Sequence, residues 1–144
     1  MRGALPDVNV LLALAWPNHQ FHQPARRWYQ EEGVAQWSTC GVTQLGFIRL
    51  SSNPAFSPYA KTPLEAVLLL REWTEQPGHS FVGELPAATG GEYERLATRL
   101  QGYKQTTDGY LVVVARAKGL RLVTFDRRVA QVDPGDDVVA VLST

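Results

Sequence analysis

A single cysteine, Cys40, stands in a chain of 144 residues, which excludes an internal disulfide and any cysteine-rich zinc site. An excess of charge is equally missing. Lys plus Arg and Asp plus Glu number 14 each, so any nucleic-acid partner must be engaged by a local basic patch and not by the surface as a whole. No apolar run approaches the ~18 residues that a membrane-spanning helix requires, and the N-terminus lacks the basic region, apolar run and small-residue cleavage site of a secretory signal. Neither a phosphate-cradling glycine-rich loop nor a GxGxxG turn occurs, which disfavours a dinucleotide or ATP enzyme. Internal repeats, low-complexity tracts and linkers are absent as well. These absences predict a soluble, cytoplasmic protein with no membrane association.

What the chain does have is an ordinary globular composition, 44% hydrophobic and 19% charged in 16.0 kDa. That size predicts one domain over residues 1–144. Short apolar runs alternate with helical patterns. Leu5 opens a first strand, and from Asp7 to Pro17 the residues Val8, Leu11, Leu12 and Ala15 recur at helical spacing. Residues 23–32 form a second helix burying Ala25, Trp28 and Tyr29 and closed by Gly33, before a strand at 35–38. A helix over 39–50 carries Val42, Leu45, Gly46 and Arg49 along one side and ends at Ser51-Ser52-Asn53-Pro54. After a loop at 58–63, Thr62, Pro63 and Glu65 have the spacing of a capped helix start, and that helix runs to about residue 75. A strand at 79–82, an amphipathic helix at 90–100, a helix at 105–118 capped by Gly119, a strand at 120–125, a short helix at 127–130 and a strand at 138–142 complete the pattern. Strands alternating with helices predict an α/β fold, a three-layer α/β/α sandwich around a parallel sheet.

Three acids fall at one kind of place in that pattern. Asp7, Asp108 and Asp126 each lie at the end of an apolar strand or on the first turn of a helix beside it. Taken singly, each is open to a plainer reading, because a carboxylate caps free N–H groups at a helix start and suits the helix dipole. Together they predict a shared site, since ligands of an open parallel sheet bind at the carboxyl ends of its strands. Two carboxylates roughly 4 Å apart repel by about 4 kcal/mol at an effective dielectric near 20, so such a cluster holds a proton or a cation. Hard oxygen donors suit Mg²⁺ or Mn²⁺, and a cation there can polarise a phosphodiester and activate water.

Four segments carry a resemblance: Leu5-Pro6-Asp7-Val8-Asn9-Val10-Leu11-Leu12-Ala13-Leu14-Ala15, the stretch from Thr43-Gln44-Leu45-Gly46-Phe47-Ile48-Arg49 to Asn53-Pro54, Thr107-Asp108-Gly109-Tyr110-Leu111, and Val123-Thr124-Phe125-Asp126-Arg127. In that order and spacing they resemble PIN-domain ribonucleases and, more closely, VapC-type toxins of type II toxin-antitoxin systems. The resemblance spans residues 5–142. It implies a Mg²⁺- or Mn²⁺-dependent endoribonuclease, usually a homodimer, whose acidic groove is filled by the tail of a cognate antitoxin. It also implies that Asp7 and Asp108 are the principal metal-holding acids, with Asp126 at the last acidic position. Gln44 stands where many members carry glutamate; a neutral amide cannot share charge with a cation or act as a base. The RNA substrate implied is a tRNA, rRNA or mRNA.

Other polar residues carry weaker expectations. His19 and His22, three apart in a loop without a cysteine or third histidine, read as surface residues ahead of metal ligands. Arg49 suits orienting Gln44, a phosphate contact or a salt bridge, Glu84 a solvated loop ahead of a peripheral acid of the site, and Arg127 with Arg128 either an RNA backbone or a solvated turn. Trp16, Trp28, Trp37 and Trp73 read as core or interface residues, and the helix faces around Trp28 and Leu68 as dimer or antitoxin surfaces. Two rival functions remain open at this level: a non-catalytic RNA- or antitoxin-binding module weakened by Gln44, and a phosphoryl-accepting receiver-like domain, for which Lys104 and Lys118 are poorly placed.

Overall fold

A computed structural model describes residues 2–135 and 137–144. Five strands form one sheet in the order β3-β2-β1-β4-β5, all parallel: β1 (Ala4–Pro6), β2 (Trp37–Cys40), β3 (His79–Val82), β4 (Arg121–Thr124) and β5 (Val139–Val141). The helices among the described residues are α1 (Val8–Ala15), α2 (His22–Glu31), α3 (Gly41–Ser51), α4 (Pro63–Thr74), α5 (Gly91–Ala97), α6 (Thr106–Lys118) and α7 (Arg127–Gln131).

Chain direction decides which face each helix covers. From β1 the chain steps outward to β2 and then β3, and from β3 it returns across the sheet to β4 and then β5. Right-handed crossovers in opposite directions put their helices on opposite faces. The cores agree. Ala4, Trp37 and Val123 pack with residues of α1 to α4, such as Val10, Leu12, Trp28, Phe47 and Leu70. Leu5, Cys40 and Leu122, one residue out of phase along the same strands, pack with Leu96, Leu111, Val112 and Val129 of α5 to α7. The result is the expected three-layer α/β/α sandwich. None of the described helices is long and apolar enough to cross a membrane.

Several element boundaries differ from the sequence expectation. The second strand begins at Trp37, not residue 35, because Gly33–Ala35 closes a 3₁₀ turn after α2. It then runs on through Thr39 and Cys40, which pair with Phe81 and Val82, so α3 starts at Gly41 and not at residue 39. Thr43 accepts the Cys40 amide proton at 3.0 Å and fixes that start. The buried side of α3 is accordingly Thr43, Gly46 and Phe47, while Leu45 and Arg49 of the expected side are exposed. α5 is also shorter than predicted, ending at Ala97 where the Thr98 hydroxyl donates back to the Arg95 carbonyl. Elsewhere the signals hold: Thr62 and Glu65 form the capping box of α4, and α6 ends on left-handed Gly119 at φ 66°.

Candidate functional site

The reversal of chain direction falls between β1 and β4, and a sheet of this kind opens a crevice at the carboxyl ends of those two strands. Asp7 follows β1 directly and Asp126 lies two residues after β4. The third acid, Asp108, is the third residue of α6.

Each acid can be held against its plainer role as a cap. Asp7 does cap α1: its Oδ1 accepts the Val10 amide at 2.9 Å, and its own N–H donates to the Val123 carbonyl at 2.9 Å, locking it to β4. Asp126 caps α7, accepting the Arg128 amide at 2.9 Å, and its backbone N–H donates to the Thr124 hydroxyl at 3.0 Å. Asp108 caps nothing; the position before α6 is Gln105, whose side chain makes no capping bond, and no hydrogen bond engages the Asp108 carboxylate among the described residues. Capping therefore accounts for two of the three acids and leaves Asp108 without a structural partner.

Electrostatics separate the acids further. Asp7 is 2% exposed, and burial, together with the charges of Asp108 and Asp126, pushes its carboxyl up to about 7 against bonds from Thr124 and the Val10 amide that pull it down. Burial and then the Asp126 charge also hold Asp108 above the ordinary carboxylate range. Asp126 behaves oppositely. The Arg128 guanidinium grips both its oxygens, Nε to Oδ1 at 3.1 Å and Nη2 to Oδ2 at 3.1 Å, and holds the carboxyl low. Among the described residues no Lys, Arg or His forms an ion pair with Asp7 or Asp108.

One buried and one half-buried carboxylate, Asp7 and Asp108, repelling each other without a cation, are what a divalent metal site needs in its donor set. The fit is to two acids and not to a closed cage: no group of three or more His, Cys, Asp or Glu side chains is gathered as a metal cluster among the described residues, and Asp126 faces Arg128. The repulsions among Asp7, Asp108 and Asp126 nevertheless put the three within electrostatic reach of one another.

The remaining expected residues scatter. Gln44 donates from Nε2 to the Thr39 hydroxyl at 3.1 Å, and that oxygen also bonds His79 Nε2 at 2.8 Å, so the amide is tethered across β2 and β3 with its carbonyl end left free of protein partners among the described residues. His22 Nδ1 bonds the Ala13 carbonyl at 2.8 Å and is structural. His19 is not simply on the surface: with Asn9, Phe21, Thr124, Phe125 and Asp126 it lines a cavity of about 340 Å³ at the end of β4, and burial depresses its basicity. Arg49 and Arg127 are exposed, and Glu84 is an exposed loop residue at φ 54°. All four tryptophans are packed, with Trp16 Nε1 donating to Ser51 Oγ at 3.1 Å and Trp73 edge-on to Tyr29.

Thr124 is the residue the sequence reading passed over. Fully buried at the end of β4, its hydroxyl accepts the Asp126 amide and counters the upward push of burial on the Asp7 carboxyl. Its place two residues before Asp126, at the end of the strand that leads to it, was the available signal.

Two glycines set the approach of the helices that carry these groups. A Cβ at Gly46 would lie 2.6 Å from Val8 Cγ2, so α3 is seated against the residue after Asp7. One at Gly109 would lie 2.9 Å from Leu100, so α6 is seated on the α5 side beside Asp108.

Comparison with known proteins places this arrangement. The family model described as PIN domain matches residues 4–134. Ribonuclease VapC39 of Mycobacterium tuberculosis is 38% identical over 128 residues, covering 88% of this chain and 91% of that one. Ribonuclease VapC38 of the same organism is 37% identical over 123 residues, covering 85% and 84%. Among solved structures, the crystal structure of FitAcB from Neisseria gonorrhoeae superposes with a TM-score of 0.56 at 19% identity over 96% of each chain, a likeness of fold.

Proposed function

Because the chain belongs to the PIN-domain family and groups with the VapC ribonucleases, we propose that it is a ribonuclease toxin of a toxin-antitoxin system. It hydrolyses RNA phosphodiester bonds in the cytoplasm with Mg²⁺ or Mn²⁺, acts as a homodimer and is silenced by a cognate antitoxin. One observation supports this most: Asp7, buried at the strand-order reversal, and Asp108, half-buried on the first turn of α6, repel each other, and neither is neutralised by a protein cation among the described residues.

In this reading Asp7 and Asp108 hold the divalent ion, and Asp126 adds negative charge at the rim. When bound, the ion supplies Lewis-acid charge at the scissile phosphate and lowers the pKa of water. Asp7 is held in one orientation by two hydrogen bonds, its own N–H to the Val123 carbonyl and the Val10 amide to its Oδ1, which presets the site without reorganisation. Protons follow from the same geometry. Burial and the neighbouring acids push Asp7 up to about 7 in the ion-free protein, so it holds a proton far more readily near neutral pH than an ordinary carboxylate, and a bound cation would favour its release. No side-chain nucleophile is required.

A second reading, a binding module too weak in metal affinity to cleave, rests on Gln44, whose amide nitrogen is committed to Thr39. Induction of the wild type beside Asp108→Asn in a bacterial host, with and without the neighbouring small open reading frame, separates the two. Growth arrest by the wild type alone, relieved by that neighbour, supports the nuclease toxin. Arrest by both proteins alike refutes a role for the acidic pair.

A further inference from the structure

Resting on the nuclease reading above, we propose that the cavity beside Asp126, walled by the turn before α6, is a nucleotide subsite that stacks a base of single-stranded RNA on Tyr103 and holds its phosphate between Lys104 and Arg128. About 340 Å³ is enclosed by Gln101, Gly102, Tyr103, Lys104, Gln105 and Arg128, near the lower end of the range for small-ligand pockets and so the scale of one nucleotide.

The cavity is joined to the acids by covalent and ionic links. Its 3₁₀ turn, Tyr103–Gln105, runs directly into α6, whose third residue is Asp108. Arg128, whose guanidinium grips Asp126, also lines it. A strand whose scissile phosphate lies at Asp7 and Asp108 therefore passes its neighbouring nucleotide along this turn.

Tyr103 is 81% exposed, and its ring makes neither an aromatic pair nor a side-chain hydrogen bond among the described residues, so packing gives no reason for an aromatic there. A free ring face beside two cations is the usual platform for an unpaired base. Lys104 enters no ion pair among the described residues. With Arg128 it makes the local basic patch that a protein balanced at 14 positive and 14 negative side chains requires for nucleic acid.

The turn is also preformed. The Gln101 amide donates to Gln105 Oε1 at 2.7 Å, the Thr106 hydroxyl to the Tyr103 carbonyl at 2.8 Å, and the Tyr93 hydroxyl to the Thr106 carbonyl at 2.6 Å. Nothing crowds the floor, since a Cβ at Gly102 would meet no atom within 4 Å. Single-strandedness follows because a paired base offers no free face to Tyr103.

The test uses the full chain carrying Asp7→Asn as the cleavage-silent parent, with a fluorescein-labelled RNA of about 12 nucleotides and mixed sequence, near the site size of such grooves. Anisotropy is read between roughly 50 and 200 mM salt, the range over which phosphate contacts weaken steeply. Adding Tyr103→Ala should weaken binding about tenfold or more while Tyr103→Phe binds like the parent. Adding Lys104→Ala should weaken binding and reduce the slope of log affinity against log salt by about 0.7. Melting temperatures equal to the parent's confirm intact folds at these exposed positions. Binding within twofold of the parent for both Tyr103→Ala and Lys104→Ala, with an unchanged slope, overturns the subsite, as does a parent that binds no RNA. Binding of an Asp- and Glu-rich peptide in place of RNA would assign the cavity to a protein partner and equally overturn it. Cleavage by the wild type separates the two layers. Divalent-dependent cleavage with binding indifferent to Tyr103 defeats the subsite alone, whereas Tyr103-dependent binding without cleavage defeats the nuclease reading alone.

Discussion

Replacing Asp7 by asparagine should stabilise the ion-free protein, and the gain should grow with pH. A carboxyl carried from 3.8 to about 7 by burial and its acidic neighbours favours the unfolded chain wherever that chain is ionised. The sign is fixed by linkage: the folded pKa lies above the unfolded one, so the stability associated with the protonated group is full below about pH 4 and lost as pH rises to 7. At pH 8 the cost to the folded wild type is on the order of 4 kcal/mol, and at pH 5 less than half of that. Asparagine keeps an oxygen that can accept the Val10 amide, so the cap of α1 survives. For a chain of this size, 4 kcal/mol corresponds to a melting shift on the order of 10 °C. Thermal denaturation in chelator at pH 5 and pH 8 measures it. Asp7→Asn should melt well above wild type at pH 8 and much closer to it at pH 5, and millimolar Mg²⁺ should close the gap by raising the wild type only. A variant less stable than wild type at both pH values, or a gap independent of pH, would refute the claim that Asp7 is an unneutralised buried acid.

Thr124→Val removes the hydroxyl that pulls Asp7 down and accepts the Asp126 amide; the acid limb of the pH–cleavage profile should move to higher pH, with a stability loss of about 1–3 kcal/mol from the orphaned N–H, read by urea titration. Gln44→Glu should tighten Mg²⁺ binding several-fold in calorimetry, and an unchanged affinity would place Gln44 outside the site. Gly46→Ala drives a methyl to within 2.6 Å of Val8 and should cost about 1–3 kcal/mol in denaturant unfolding, with reduced cleavage because Val8 adjoins Asp7.

The alternation of strands and helices, and with it the sandwich, was legible because each strand is short, apolar and bounded by turn residues, as at Pro77-Gly78 before His79–Val82. Thr62-Pro63-Leu64-Glu65 announced α4 because its signal is local, one side chain bonding one backbone N–H in each direction. The start of β2 was not legible. Residues 33–35 are compatible with strand or turn, and what selects the turn is the close seat of Gly33 on the Trp28 ring, a tertiary contact. The true buried face of α3 was hidden as well: the expected Val42, Leu45, Gly46 and Arg49 and the observed Thr43, Gly46 and Phe47 are offset by one residue, about 100° around the helix. At the site, the three acids were visible because two follow strand ends and Asp108 sits on the first turn of a helix. Their inequality was not: the Arg128 grip on Asp126 and the burial of Asp7 depend on rotamer and depth. Nor does spacing tell that Gln44 reaches Thr39 and His79, because His79 arrives from a strand 35 residues further along the chain.

The central claim is that Asp7 and Asp108 together hold a divalent ion that makes this chain a ribonuclease. Its most direct measurement is cleavage of total cellular RNA by purified wild type, Asp7→Asn and Asp108→Asn, each assayed in Mg²⁺, in Mn²⁺ and in chelator. The expected result is discrete cleavage by the wild type with either ion, none in chelator, and a loss of at least a hundredfold in both variants. Cleavage that persists in chelator, or in either variant at the wild-type rate, would contradict it.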